Sequence, residues 1–149
     1  KQLNYIQKKL IDINYHIYGS PKYLEKHGFP KSTSDLNKHS FISFGRGAPS
    51  PVYNPDWALK LGTKDNKKRK TVMKVNSVYG LLLAVQSGVG LAALPDYITV
   101  NQPNIVKVLP NIEGPITEAH FVYPQSMKNV ARVQAFRNFL YSKISEWEF

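Results

Sequence analysis

The sequence predicts an α/β fold with a mixed sheet, and three observations carry that prediction. Residues 76–95, NSVYGLLLAVQSGVGLAALP, read as a capped helix, a glycine break and a buried strand. Strand-like and helix-like stretches alternate along the chain, the pattern of α/β architecture. Residues 129–149 repeat apolar side chains at three- and four-residue steps, which predicts a closing amphipathic helix.

The central stretch is the most informative. Ser77 is a natural N-cap, since its hydroxyl can accept from a free N–H of the first turn. Val78, Leu81, Leu82 and Val85 recur at helical spacing, and Leu83 and Ala84 widen the apolar stripe. Gly88 sits where the helix should end in a left-handed residue. Residues 89–94 are continuously apolar, as expected of a fully buried parallel strand, and Pro95 closes it. A strand over residues 71–75 feeds this helix, so Asn76 and Ser77 lie where open α/β sheets hold ligands. Free N–H groups and the helix dipole there favour an anionic group. Ser77 either caps its own helix only or also faces a ligand; cap geometry serves both.

The remaining elements follow in order. Residues 10–18 alternate apolar and polar side chains and predict a strand. Ser20–Pro21 opens a short helix with Tyr23 and Leu24 inward, and Gly28 ends it. Residues 32–37 predict a capped turn anchored by Leu36. Residues 41–44, FISF, predict a strand, and the glycines and prolines of 45–55 a loop. Residues 57–61 and 71–75 predict strands flanking the basic run KDNKKRK at 64–70. Short helical structure is expected over 96–100, then strands over 105–109, with Lys107 outward, and over 118–123, with Phe121 and Tyr123 on one face. In the last helix Val130, Val133, Phe136, Leu140, Ile144 and Trp147 face inward, and Arg132, Arg137 and Lys143 face solvent.

Bulk properties bound the function. A chain of 149 residues with 42% hydrophobic content buries a core without staples. There is no cysteine, hence no disulfide and no thiolate metal site, which suits a reducing cytoplasm. No apolar run is long enough to span a bilayer, so no membrane partner is expected. Twenty basic and ten acidic residues leave a net charge of +10. The run at 64–70 lacks aromatic interleaving and a recognition-helix pattern, so it reads first as a solvated loop.

Catalytic patterns are missing. The four histidines, His16, His27, His39 and His120, form no metal-ligand spacing. Gly88, Gly90 and Ala93 match a dinucleotide fingerprint by letters, but the match follows a helix and opens a strand, the reverse of what the motif needs. No paired carboxylates sit in an expected cleft. Neither an enzyme, a cofactor nor a metal is expected.

Several pieces in a fixed order are more specific than any one of them. They are Ser20-Pro21-x-Tyr23-Leu24, Asp35-Leu36-x-x-His39, Gly88-x-Gly90-x-Ala92-x-Leu94-Pro95 and Arg132-Val133-x-Ala135-Phe136-x-x-Phe139-Leu140. Together they resemble the effector-binding region of LysR-type bacterial transcriptional regulators, over most of the chain. The resemblance implies a type 2 periplasmic-binding-protein-like α/β fold, with one complete lobe and part of the other. Residues 10–18 would be the first crossover strand, 20–115 the second lobe, 118–123 the return crossover and 129–149 the C-terminal helix of the first lobe. It further implies a small-molecule effector between lobes, contacted by Ser43, Phe44, Gly45, Arg46, Asn76 and Ser77. Arg46 is either a solvated loop residue or a guanidinium fork on a carboxylate. Phe44 is either lobe core or cleft wall.

The family's N-terminal helix-turn-helix, its linker helix and the first lobe's opening strands have no counterpart in these residues. Operator DNA is therefore expected to be bound only through a domain outside this chain, and the cleft to be half-built. An exposed sheet edge is expected to drive homo-oligomer formation. Two other readings stay open: a solute-binding protein of a transporter with the same fold, and a basic module binding nucleic acid non-specifically through 64–70. The latter predicts steeply salt-dependent binding.

Overall fold

The computed structural model describes residues 4–45 and 56–147. The chain divides into two compact units: Asn14–Ile116, and Lys1–Ile13 together with Thr117–Phe149.

The chain opens with β1 (Tyr5–Ile13) and continues, after Asn14, into β2 (Tyr15–Gly19). The single alternating strand expected over 10–18 is thus two strands. Every residue of β2 is buried, polar positions included. The alternation fails because both faces of β2 are covered. Ile17 lies in one apolar cluster with Leu24, Leu36, Phe41 and Leu91, and Tyr18 in another with Ile42, Leu82, Val85 and Leu94. A strand between two apolar layers has no solvent side.

The helix α1 (Pro21–His27) begins as its sequence predicts. Ser20 Oγ accepts from Tyr23 N–H at 3.3 Å, Pro21 takes the first turn, and Gly28 at φ 88° ends it. A short 3-10 turn at Asp35–Lys38 buries Leu36. Then β3 (Phe41–Phe44) leads to residues outside the description, and the chain resumes in α2 (Trp57–Lys60). A strand was expected at α2. The chain instead makes one helical turn, closed by Leu61 N–H to the Trp57 carbonyl at 3.1 Å, with Ala58 and Leu59 buried. A short apolar run has no period that separates a strand from a buried helical turn.

After the basic run, β4 (Thr71–Val75) lies parallel to β3 and enters α3 (Val78–Gln86). Leu81, Leu82 and Val85 are buried on α3, whereas Leu83 is 48% exposed. The apolar face is therefore narrower than the stripe expected from the sequence. Gly88, at φ 79°, follows the helix as the left-handed residue. The strand after it, β5 (Ala92–Pro95), runs antiparallel to β2. The parallel partner expected of this run is met at one residue, where Leu91 bridges Phe41. Pro95 does not end the pairing, since it stands opposite Tyr15. A 3-10 turn at Asp96–Ile98 and β6 (Val106–Val108) complete the unit, giving a three-stranded antiparallel sheet ordered β5–β2–β6. Gly90 has a packing reason: a Cβ there would lie 2.6 Å from the Ser40 carbonyl oxygen.

In the other unit β1 pairs antiparallel with β7 (Thr117–Pro124), from Tyr5 opposite Pro124 to Ile13 opposite Thr117. The helix α4 (Ala131–Ile144) is shorter than the 129–149 expected, of which 148–149 lie outside the described residues. Phe136 meets Phe121 edge-on at 5.9 Å, and Tyr141 donates to the Lys9 carbonyl at 2.8 Å. Nothing on α4 is fully buried. Its less exposed residues are Val133, Arg137, Leu140 and Ile144, so Arg137 takes a place on the inward face that the pattern gave to Phe136, which is 52% exposed.

Candidate functional site

The expected site residues converge at the carboxyl end of the parallel β3–β4 pair. Ser43 stands opposite Lys74 and Phe44 opposite Val75, so the two strands end together. Gly45 N–H donates to the Val75 carbonyl at 3.0 Å, extending the pairing one residue past β3. A Cβ on Gly45 would collide with Asn76 Oδ1, so a larger residue there would make the Asn76 side chain turn away. Ser77 Oγ accepts from Gly80 N–H at 3.2 Å and caps α3, while its own side remains exposed with that of Asn76. Ser43 is buried, and Phe44 packs half-buried against the Ile42–Leu82 cluster. Phe44 thus packs on one side and stays accessible on the other. Gly45, Asn76 and Ser77 form an accessible rim around the amino end of α3. Arg46 lies outside the described residues.

This geometry offers two chemical features. The free N–H groups of the first turn of α3 point to the edge where β3 and β4 end, and the helix dipole adds positive potential there. The Asn76 amide supplies both a donor and an acceptor beside them. No nucleophile–base pair accompanies these groups, and no cluster of metal ligands occurs among the described residues.

One polar network escaped the sequence reading. Asp96 is 4% exposed and receives three side chains. His16 Nδ1 lies 2.8 and 2.9 Å from its two oxygens, Tyr18 O–H donates at 3.0 Å, and Lys107 Nζ donates at 3.1 Å. The backbone N–H of Asp96 donates to the Asn14 carbonyl at 3.0 Å, at the break between β1 and β2. Burial, chiefly, pushes the Tyr18 hydroxyl well above its ordinary range, so it remains a donor. Lys107, expected to point outward, is turned back to this carboxylate and sits 5.9 Å from the Tyr18 ring centroid. The readable signal was His16 in an otherwise apolar strand together with an acidic residue directly after Leu94–Pro95.

Comparison with known proteins assigns the family. A family model described as the LysR substrate binding domain matches residues 3–144. The chain belongs to the LysR substrate-binding domain family. Its relatives are transcriptional regulators. An HTH-type transcriptional regulator of Haemophilus influenzae is 29% identical over 123 residues, covering 80% of this chain and 41% of that protein. The regulator CrgA of Neisseria meningitidis serogroup B is 25% identical over 141 residues, covering 92% of this chain and 46% of CrgA. The chain thus spans less than half the length of these relatives. Among solved structures, the CrgA regulatory domain superposes with a TM-score of 0.77 at 24% identity, covering 94% of this chain and 69% of that one. The effector domain of AmpR from Pseudomonas aeruginosa superposes at 0.68 with 18% identity, covering 95% and 66%. The LysR-family chain therefore has the type 2 periplasmic-binding-protein-like α/β fold expected from its motifs. No helix among the described residues is long and apolar enough to cross a membrane.

Proposed function

We propose that this LysR-family chain is the ligand-sensing part of a cytoplasmic bacterial regulator and binds a small anionic or polar effector. The contacts are Ser43, Phe44, Gly45, Arg46, Asn76 and Ser77. One observation carries the reading: β3 and β4 end side by side at the amino end of α3, with Gly45 against Asn76. Residues 20–115 act as one lobe, 10–18 and 118–123 as the crossovers, and the closing helix belongs to the other lobe. Effector binding shifts a population between conformations and so alters DNA binding by a helix-turn-helix domain of the parent regulator. Chemistry on the effector is not part of this role.

Replacing Ser77 by Ala and Arg46 by Gln together in the intact regulator is expected to abolish the effector response. The Ser77 change alone also removes a helix cap worth about 1 kcal/mol, so thermal unfolding is followed in parallel. A response that persists with unchanged effector affinity sinks the site. The regulator also works as a homo-oligomer, a reading supported by the two-stranded β1–β7 sheet, whose outer edges have no partner strand among the described residues. Light scattering on the chain is expected to give a mass above that of one copy, and a single-copy mass at high concentration removes this part.

A further inference from the structure

The basic run at 64–70 is largely exposed, as expected of a solvated loop, and it borders an open hollow. Asn37, Thr63, Lys64, Lys67, Lys68 and Arg69 line a hollow of about 240 Å³ on the unit Asn14–Ile116. Four of these six are cations and none is a carboxylate.

The wall of the hollow is held by bonds to neutral acceptors, and one of its four cations, Lys68, is paired with a carboxylate. Arg69 donates from Nε to Asn37 Oδ1 at 2.9 Å, from one terminal nitrogen to the Ala58 carbonyl at 3.1 Å, and from the other to the Thr33 carbonyl at 3.2 Å. Its guanidinium also lies 5.6 Å from the Phe41 ring centroid. All these acceptors are neutral, so Arg69 keeps its full charge at the cleft wall. Thr63 Oγ1 donates to the Lys60 carbonyl at 2.7 Å, and Gly62, at φ 68°, carries the chain closely past Thr33. Lys68 pairs with Asp56. Lys64 and Lys67 form no ion pair among the described residues.

We propose that this cleft is a second ligand site, taking a small molecule through a phosphate or diphosphate group. Clustered like charges repel, and a multivalent anion relieves that repulsion best. Lys64, Lys67 and Arg69 have no carboxylate partner among the described residues, and a carboxylate would answer one of these three. The volume lies below the range of about 300–1,000 Å³ that encloses whole drug-sized ligands, so the cleft takes a headgroup with the rest of the molecule outside. The site is independent of the effector reading. It lies before the amino end of β4, whereas Asn76 and Ser77 follow the carboxyl end, and a strand of five residues separates them by roughly 15 Å.

The test is calorimetric titration of inorganic pyrophosphate into the full chain at low ionic strength, with sodium sulfate at matched ionic strength as comparison. Saturable binding at one site is expected, with sulfate weaker. In the Lys64→Gln/Lys67→Gln variant affinity is expected to fall about tenfold, while the ligand-free unfolding temperature stays the same. Absence of saturation, equal affinity in the variant, or equal binding of sulfate and pyrophosphate overturns the proposal. A short DNA duplex forms the third arm. Duplex binding that is tighter than pyrophosphate binding and displaces it would mean a DNA-backbone contact, and would equally overturn it.

Discussion

An Asp96→Ala chain is expected to lose about 3 kcal/mol of folding stability. The carboxylate is buried, and it is the shared acceptor for His16, Tyr18 and Lys107. Removing it takes the carboxylate acceptor from the Tyr18 hydroxyl, which keeps Thr99 beside it, at about 1.5–3 kcal/mol for a hydrogen bond to a charged group. It leaves the His16 ring facing an empty space as well. Lys107 contributes less, since its side chain is 34% exposed and can turn to water. Lys107→Met is accordingly expected to change stability by under about 1 kcal/mol. Urea unfolding of the two variants against the parent chain measures both, with the slope checked so that a shifted midpoint reads as stability. If Asp96→Ala unfolds within the margin of Lys107→Met, the network does not hold β2 to the turn after β5.

The elements that could be read from the sequence are those whose ends carry their own chemistry. Ser20–Pro21 with Gly28, and Ser77 with Gly88, delimit α1 and α3 because capping and left-handed closure are local requirements. The strands β3 and β4 were each readable from the sequence, though not their pairing, and the junction of β4 with α3 followed from the same capping signal. Three things were not readable. The direction of β5 depends on which strand lies beside it, and a uniformly apolar run does not encode that choice. The helical turn at Trp57–Lys60 is too short to show a period. The inward turn of Lys107 depends on Asp96, eleven residues earlier and on another element. Of the expected site, Gly45, Asn76 and Ser77 come together because β3 and β4 end together, a consequence of pairing register. The Asp96 network was hidden because alternation assigned His16 to a solvent face that β2 does not have.

A Leu82→Ala chain is expected to lose about 3 kcal/mol. Leu82 is 1% exposed and lies among Tyr18, Ile42, Val85 and Leu94, so it joins the helix to strands β2, β3 and β5 at once. Truncation removes three carbon atoms from a layer closed on all sides, and the loss combines their transfer energy with the cavity left behind. Leu83, one position on, is 48% exposed, and Leu83→Ala is expected to change stability by under about 0.5 kcal/mol. Chemical denaturation of the two single variants makes a direct comparison, because the chemistry of the substitution is the same and only the facing of the helix differs. The rim residues Asn76 and Ser77 stand at the start of α3, so a loosened helix also loosens the site. Effector affinity in the intact regulator should therefore weaken with Leu82→Ala and stay unchanged with Leu83→Ala. Equal losses from the two substitutions would mean that α3 does not seat this face on the sheet, and the convergence of Gly45 with Asn76 would lose its support.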